Sequence, residues 1–217
     1  MPTIIVSDLH LGCRYCQWER FNAFLDTLPP DADLVLNGDT VDRRYTPFPV
    51  RHRQTLERIQ SESRRRRVIW IRGNHDARFW PPDPVAIHFA EAHAIGSRLF
   101  VTHGHAFYNV TTYYRLFVRL LYYLHALRIR MGAPSVHIAL YAKKFPWLYR
   151  ILKRQVALNA IEFARENGYQ TVVCGHVHDV EDFVCNDIRY LNTGSWTEPL
   201  TAAVYIDNNG ATLKRII

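Results

Sequence analysis

Residues 3–12 of the chain read TIIVSDLHLG, a short apolar run that leads directly into an aspartate and a histidine. An apolar run of this length predicts a strand that is buried on both of its faces. Asp8 and His10, whose side chains can bind metal ions, would then stand at the carboxyl end of that strand. This stretch therefore predicts a buried sheet with polar side chains along one edge.

The same arrangement recurs further along the chain, where polar motifs follow apolar runs at 34–36, 68–71, 99–101 and 171–173. The motifs are Gly38-Asp39-Thr40-Val41-Asp42, Gly73-Asn74-His75-Asp76, His103-Gly104-His105 and Gly175-His176-Val177-His178. In open α/β sheets, ligand sites form beyond the carboxyl ends of the strands. We therefore expect these side chains, distant in sequence, to converge at one edge of the fold.

The types of side chain in these motifs predict a metal centre. A mixture of carboxylate, imidazole and amide oxygen donors suits Mn²⁺, Fe or Zn²⁺ better than an ion that prefers thiolates. There are more donors than one ion needs, which favours two divalent metal ions roughly 3.5–4 Å apart. Such a pair binds phosphoryl oxygens and activates a bridging hydroxide that attacks phosphorus. We expect Mn²⁺, with Fe, Zn²⁺ and Mg²⁺ as alternatives.

The rest of the chain predicts an α/β fold of ordinary size. Trp18, Phe21 and Leu25 recur at helical spacing, and residues 51–63 predict a second helix. The tail predicts strands at 188–191, 203–206 and 211–216, the last two joined by a hairpin turn at 208–210. A length of 217 residues suits a single domain over 1–217. Residues 109–165 predict an inserted helical cap rich in basic and aromatic side chains.

Composition and charge indicate where the protein is located and what kind of partner it binds. No uncharged apolar run reaches the roughly 18 residues of a spanning helix, and the first strand leads directly into Ser7 and Asp8 without a basic leader. We therefore expect a cytoplasmic protein. The chain carries a formal charge of +7. The stretch 109–165 has ten basic residues and one acid, Glu162, so it carries +9 and the remainder carries −2. The expected anionic partner therefore lies at the cap.

Two interpretations of 109–165 remain open on this composition. Leu120, Tyr123, Leu127 and Met131 follow one helical stripe, and arginines lie beside it. A helix of this kind lies on an anionic membrane surface, with its arginines reaching the headgroups. The same residues also suit a cap packed on the domain with its charges in water. Basic and aromatic residues can in addition bind a nucleic acid strand, although long apolar stripes favour acyl chains over stacked bases.

The ordered motifs from residue 8 to 178 resemble those of the calcineurin-like metallophosphoesterases. The resemblance implies two facing mixed β-sheets flanked by helices, a four-layer α/β sandwich. It implies that His75 assists at the phosphate or the leaving group and that Asp76 orients His75. It also implies one metal bound by Asp8, His10, Asp39 and His178, and a second bound by Asp39, Asn74, His103 and His176.

A second resemblance is to the UDP-2,3-diacylglucosamine diphosphatase branch, which acts in lipid A biosynthesis. It rests on residues 7–12, on the helical insertion, and on the tail Asn192-Thr193-Gly194-Ser195-Trp196. It implies cleavage of a diphosphate in a lipid-linked sugar nucleotide, with inserted helices that hold acyl chains, at the inner face of the membrane. The chain departs from that branch at His75, where the branch has arginine, and at His105, where it has aspartate.

Two other functions stay open as alternatives. The first is a phosphodiesterase or nuclease that acts on nucleotides or nucleic acid. The second is a non-catalytic module that binds a membrane surface. Of the neighbouring polar residues, we expect Asp42 to fix the Asp39 loop by hydrogen bonds and His105 to lie behind the ligands or contact substrate. We expect Cys13 and Cys16, a lone C-x-x-C pair, to belong to a loop that follows the first ligands and leads into the helix from Gln17.

Overall fold

The computed structural model describes residues 2–42, 47–84, 86–108 and 112–216, and the side chains of these except 112–118 and 148. Residues 109–111, at the start of the predicted insertion, lie outside the described residues. The strands are β1 Thr3–Val6, β2 Asp33–Asn37, β3 Val68–Ile71, β4 Ile87–Ala90, β5 Ala92–Ile95, β6 Leu99–Thr102, β7 Thr171–Cys174, β8 Val180–Cys185, β9 Ile188–Thr193, β10 Thr201–Asp207 and β11 Gly210–Ile216. The helices are α1 Trp18–Asp26, α2 Val50–Glu62, α3 Thr112–Arg130, α4 Ile138–Ala142 and α5 Pro146–Glu166.

The strands form two mixed sheets. The first has the order β11-β10-β1-β2-β3-β4, and β1 to β4 are parallel. The second has the order β5-β6-β7-β9-β8, in which β6, β7 and β9 are parallel. Because parallel strands end at the same edge, β1, β2 and β3 deliver their following loops to one side of the first sheet. β6 and β7 do the same for the second sheet.

The two sheets face each other across an apolar core. Ile5, Val35 and Ile69 of the first sheet pack against Val101 and Val173 of the second. Side chains alternate along a strand, so Ile4 and Val6 point to the opposite face, where α1 and α2 cover them. The alanines and Ile161 of α5 cover the outer face of the second sheet. The layers are thus helices, sheet, sheet and helix, which confirms the predicted α/β sandwich of two facing mixed sheets.

The structure adds β4, β5 and β8, which the sequence pattern did not predict. Each of these three strands is at an edge of its sheet. The fourth edge strand is β11. An edge strand is only partly covered, so it tolerates polar residues and shows a weak hydrophobic pattern. Glu181 and Asp182 in β8 are examples.

Helices α3, α4 and α5 lie between β6 and β7 in the chain, and we call them the helical cap. The stripe of Leu120, Tyr123, Leu127 and Met131 on α3 is exposed, with Met131 exposed by 74%. Leu121 and His125 on the other face of α3 are buried. No helix in the described part of the chain is long and apolar enough to cross a membrane.

Candidate metal centre

The loops that follow five parallel strands meet where the two sheets face each other. Asp8 and His10 follow β1, Asp39 follows β2, and residues 74–76 follow β3; His103 follows β6, and His176 and His178 follow β7. Asn37, the last residue of β2, ties the two sheets together at this point. Its side-chain nitrogen donates to the carbonyl of Thr102 at 3.0 Å, and its own carbonyl lies 2.9 Å from His103 Nδ1.

Three overlapping groups of side chains could each hold a metal ion. They are Asp8 with His10 and His178, His10 with Asp39 and His75, and Asp39 with His103 and His176. The atoms converge closely: Asp8 Oδ1 and His10 Nε2 each lie 3.2 Å from His178 Nε2, and Asp39 Oδ2 lies 3.2 Å from His103 Nε2. Asp39 and His10 each belong to two groups. The predicted ligands are therefore brought together, and their assignment to individual ions stays a prediction.

The backbone at these loops is held in an unusual conformation. Asp8, His10, Asp39, His176 and His178 all have positive φ angles, between 49° and 69°. The only other described non-glycine residues with positive φ are Asn186 and Asp187, in the turn between β8 and β9. A non-glycine residue in this region costs roughly 1–3 kcal/mol and persists only where the surroundings enforce it. This concentration of strain supports the strand ends as the candidate functional site.

Two motif glycines make room for the carboxylates. A Cβ on Gly73 would lie 2.1 Å from Asp39 Oδ1, and a Cβ on Gly175 would lie 2.4 Å from Asp8 Oδ2. Any side chain at either position would displace the carboxylate. The same closeness gives the carboxylates backbone donors: His75 N donates to Asp39 Oδ1 at 2.7 Å, and His176 N donates to Asp8 Oδ2 at 2.9 Å.

The remaining atoms of these side chains fit a divalent cation. Asp8 Oδ1 and His103 Nε2 are buried at the centre of the cluster, where Asp8 Oδ1 lies 3.2 Å from His178 Nε2 and His103 Nε2 lies 3.2 Å from Asp39 Oδ2. Burial alone would lower the pKa of His103, but the charges of Asp39 and Asp8 raise it to about 10. Burial likewise opposes charge on His178, yet its hydrogen bond to Asp8 raises its pKa to about 9. The cluster thus attracts positive charge, and its buried carboxylate oxygens and imidazole nitrogens are the kinds of atom that bind a divalent metal ion.

The residues beside the ligands differ from the predicted roles in one respect. The Asp76 carboxylate accepts from Thr40 N, Gly73 N and Trp70 Nε1 at 2.7–3.0 Å. It therefore holds the loops after β2 and β3 together. The carboxylate that faces the His75 ring is Asp42, whose Oδ1 lies 3.3 Å from His75 Nδ1. We expected Asp42 to fix the Asp39 loop. The structure shows that Asp42 supports His75, which is the role predicted for Asp76.

Asn74 and His105 lie at the margin of the cluster. Asn74 is exposed and lines the cleft that opens over the metal centre. His105 lies on a short 3-10 turn, with its ring centroid 5.5 Å from that of His103 and 6.4 Å from that of His176. Among the described residues, His105 belongs to none of the three ligand groups. Its position therefore agrees with a residue that lies behind the ligands.

The tail motif at 192–196 braces two of the ligand loops. Ser195 Oγ and Trp196 N both donate to the carbonyl of Asp8, at 3.0 and 3.1 Å. Asn192 Nδ2 donates to the carbonyl of Gly175 at 2.7 Å. The Trp196 ring packs edge-on against Phe21 of α1 at 5.0 Å. The motif therefore stabilises the backbone at the strained strand ends.

Sequence patterns missed several residues that the cap and the tail bring to the site. Lys143 Nζ donates to the carbonyl of His178 and to Glu198 Oε2, both at 2.5 Å. Glu198 is buried, and its Oε1 lies 3.7 Å from His178 Nδ1. A carboxylate behind a metal-binding histidine fixes the orientation of its ring. No local pattern signals these residues, because the contacts join segments that are distant in the chain.

A cleft of about 700 Å³ opens over the cluster. One wall is polar and carries His10, Asp39, His75, His176 and His178. The other wall belongs to the cap. Its apolar residues are Leu121, Ala126, Ile129, Val136, Ile138, Ala139, Ala142 and Leu152, and its polar residues are Tyr122, His125, Ser135, His137, Tyr149 and Lys153. A molecule in this cleft would contact the metal ligands and the apolar side chains at the same time.

Comparison with known proteins agrees with this fold and site. The sequence model of the calcineurin-like phosphoesterases matches residues 1–180, so the chain belongs to that family. It is accordingly a metal-dependent phosphoester hydrolase with a divalent metal centre. A search of curated protein sequences found no match to the chain.

Solved structures share the fold at low sequence identity. Vps29 from Chaetomium thermophilum is 12% identical with a TM-score of 0.54, over 100% of this chain and 97% of its own. Vacuolar protein sorting 29 from Cryptosporidium parvum is 13% identical with a TM-score of 0.52, over 99% and 95%. A phosphoesterase from E. coli is 17% identical with a TM-score of 0.48, over the whole of both chains. At these identities the likeness to the two Vps29 structures extends to the fold alone, and function must be argued from the site.

Proposed function

We propose that the protein hydrolyses a diphosphate in an amphiphilic substrate, with a lipid-linked sugar nucleotide such as UDP-2,3-diacylglucosamine as the favoured case. The observation that carries this proposal is the two-sided cleft, in which metal ligands face an apolar wall supplied by the cap. A polar nucleotide alone would leave that wall exposed to water, whereas acyl chains would bury it. Burial of apolar surface contributes roughly 25 cal/mol per Å².

The proposal includes two ions, with Mn²⁺ as the expected metal. The three ligand groups overlap through His10 and Asp39, and a shared carboxylate is what a pair of ions roughly 3.5–4 Å apart needs. When bound, such ions stabilise charge on phosphoryl oxygens and make water a stronger nucleophile at neutral pH. Asn74, which is exposed in the cleft, would add an amide oxygen to the second ion.

The chain's own residues orient the reacting groups. His75, supported by the Asp42 carboxylate at 3.3 Å, lies on the cleft wall, where it can donate a hydrogen bond to the phosphate or the leaving oxygen. The strained loops hold the ligands before substrate arrives, so little reorganisation is needed at the reacting centre. The cap excludes water from the apolar side of the cleft.

We further propose that the outer face of the cap contacts an anionic membrane surface from which the substrate is taken. Leu120, Tyr123, Leu124 and Leu127 of α3 and the adjoining Met131 are exposed, and Trp147, Ile151 and Leu158 of α5 are exposed as well. Arg119 and Arg130 of α3, Lys144 in the turn before α5, and Arg150 and Arg154 of α5 are exposed too. This pairing of apolar and basic side chains is typical of helices that lie at a membrane interface. It would place the protein peripherally on the cytoplasmic face.

A hydrolysis panel with Mn²⁺ tests the substrate. It compares UDP-2,3-diacylglucosamine, the same compound without acyl chains, a chromogenic phosphodiester, nucleotides and single-stranded nucleic acid. We expect kcat/KM to be highest for the acylated diphosphate. Preference for nucleotides or nucleic acid would favour the phosphodiesterase or nuclease alternative. Membrane binding with no turnover on any substrate would favour a non-catalytic module.

A matched pair of variants on α3 tests the apolar wall. Ile129 lines the cleft, whereas Leu127 is exposed on the outer face of the same helix. Ile129→Ser should lower kcat/KM for the detergent-dispersed acylated substrate by roughly tenfold, since burial of such a side chain is worth about 1.5–3 kcal/mol. It should leave the chromogenic phosphodiester unaffected. Leu127→Ser should change neither value; equal effects of both variants would contradict the proposed acyl site.

A further inference from the structure

His137 brings an imidazole from the cap next to the predicted metal ligands. It lies between α3 and α4 and lines the cleft. Its ring stacks on the ring of His178 at 5.1 Å with an interplanar angle of 14°, and its centroid lies 5.6 Å from that of His10. Tyr15 packs edge-on against its other side at 5.9 Å. The ring is thus held in place beside two predicted ligands.

A backbone contact determines which nitrogen of His137 carries the proton. His137 is the N-cap of α4, and its Nδ1 accepts a hydrogen bond from Ala139 N at 3.3 Å. An imidazole nitrogen that accepts a hydrogen bond has no proton, so the neutral ring carries its proton on Nε2. Nε2 is therefore a donor, and a phosphoryl oxygen is the acceptor that this reaction would provide.

His137 lies beside the ligand cluster without being part of it. Among the described residues, none of the three groups of converging metal-binding atoms includes His137. A neutral donor that is close to a metal centre and outside its ligand set can contact a phosphate that the ions bind. Such a donor acts where negative charge develops during phosphoryl transfer.

We propose that His137 is a catalytic residue supplied by the cap, donating an Nε2–H hydrogen bond to a phosphoryl oxygen of the substrate beside His10 and His178. No proton is transferred in this contact. The inference rests on the proposed phosphoester chemistry and extends it, because it makes the cap part of the reacting site as well as its apolar wall. The Tyr15 hydroxyl, bonded to Ser135 Oγ, holds the cap segment next to the sheet loops.

Two substitutions separate the donor from the capping role. His137→Asn keeps a side-chain acceptor close to the Nδ1 position, and asparagine is a favoured N-cap, but it lacks a donor at the Nε2 position. His137→Gln places an amide donor near Nε2. His88, an exposed histidine on β4, provides the control His88→Asn. Circular dichroism checks that all three variants are folded.

The measurements are the metal content, the affinity of the Mn²⁺-loaded protein for inorganic phosphate by calorimetry, and kcat/KM for a chromogenic phosphodiester. We expect His137→Asn to keep full metal content, to bind phosphate roughly 10- to 100-fold more weakly, and to lose kcat/KM by a similar factor. His137→Gln should recover much of both losses, and His88→Asn should match the wild-type protein.

The outcomes distinguish this inference from the proposed function. Unchanged phosphate affinity and kcat/KM in His137→Asn would overturn the inference and leave the hydrolase proposal intact. Loss of bound metal in that variant would also overturn it, because His137 would then support the metal site itself. Phosphate binding that depends on His137, in a protein that hydrolyses no diphosphate of the panel, would support the inference and defeat the proposed substrate.

Discussion

The strand-end loops and the helical cap build opposite sides of one cleft in different ways. Asp8, Asp39 and His103 are almost fully buried, and the backbone at Asp8 and Asp39 is strained. The cap buries the alanines and Ile161 of α5 on the second sheet but exposes large apolar side chains such as Tyr123, at 65%, and polar contacts also join it to the sheets. Besides Lys143, these include Tyr149 OH to the carbonyl of Val177, and Lys153 Nζ to Asp179 Oδ2 at 2.7 Å.

The difference separates the chemistry from the choice of substrate. Rigid, strained loops suit a metal centre, because ligand geometry must be held within narrow limits. The exposed face of α3, in contrast, can change its composition without disturbing that geometry. The basic residues of the cap also fall into two groups, one beside the metal centre and one exposed to solvent. Lys143 and Lys153 pair with Asp179, Glu181 and Glu198 next to the site, whereas the exposed arginines remain available to an anionic partner.

The largest expected effect comes from the carboxylate shared by two ligand groups. Asp39→Ala should remove bound metal and reduce phosphoester hydrolysis by more than about 10³-fold, since metal ions contribute several kcal/mol to such reactions. Metal analysis and a chromogenic phosphodiester assay measure both. Asp31→Ala, at an exposed position before β2, is the control. Full activity in Asp39→Ala would show that the metal centre lies elsewhere.

A pair of glycine variants compares the two regions directly. Gly73→Ala should displace the Asp39 carboxylate, whose Oδ1 would lie 2.1 Å from the new Cβ, and should weaken metal binding by roughly 100-fold, about 2.7 kcal/mol. Gly132, after α3, has a φ of 89° with open space around it. Gly132→Ala should therefore cost about 1 kcal/mol of stability and leave metal affinity unchanged. Calorimetric metal titration and chemical denaturation test the contrast, which fails if both variants bind metal equally.

The polar contact between the cap and His178 is expected to affect stability. Lys143→Met leaves the buried Glu198 carboxylate without its lysine partner and should lower the free energy of unfolding by roughly 2–4 kcal/mol, since one buried charge remains unpaired. Adding Glu198→Gln should recover part of the loss. Lys144→Met changes the exposed neighbour and should have little effect. Urea denaturation measures all of these, and equal stability of both lysine variants would contradict the role of Lys143.

The smallest effect is expected on the outer face of the cap. Leu124→Ser and Leu127→Ser should each weaken binding to vesicles of anionic phospholipid by roughly fivefold, because partial burial of a leucine is worth about 1 kcal/mol. Hydrolysis of a water-soluble phosphodiester should not change. Val184→Ser, at an exposed apolar position on β8, is the control. Vesicle co-sedimentation that is the same for all three variants would exclude this face as the membrane contact.

The sequence predicted the strand-end motifs well because each is a local pattern, an apolar run followed directly by polar residues. The turn at 208–210 was confirmed as the β10–β11 hairpin for the same reason. His137 and Glu198 were missed because their roles depend on contacts between distant segments. The role of Asp76 differed because sequence order does not tell which of two nearby carboxylates faces His75. The helical spacing of the apolar stripe on α3 could be recognised in the sequence, but only the structure shows that the stripe is exposed to solvent.

The most direct test of the account is a crystal structure with Mn²⁺, recorded at the manganese absorption edge. We predict two anomalous peaks at the strand ends. One should be bounded by Asp8, His10 and His178 and the other by His103 and His176, with Asp39 between them. A single peak, or peaks away from these side chains, would contradict the proposed two-metal centre.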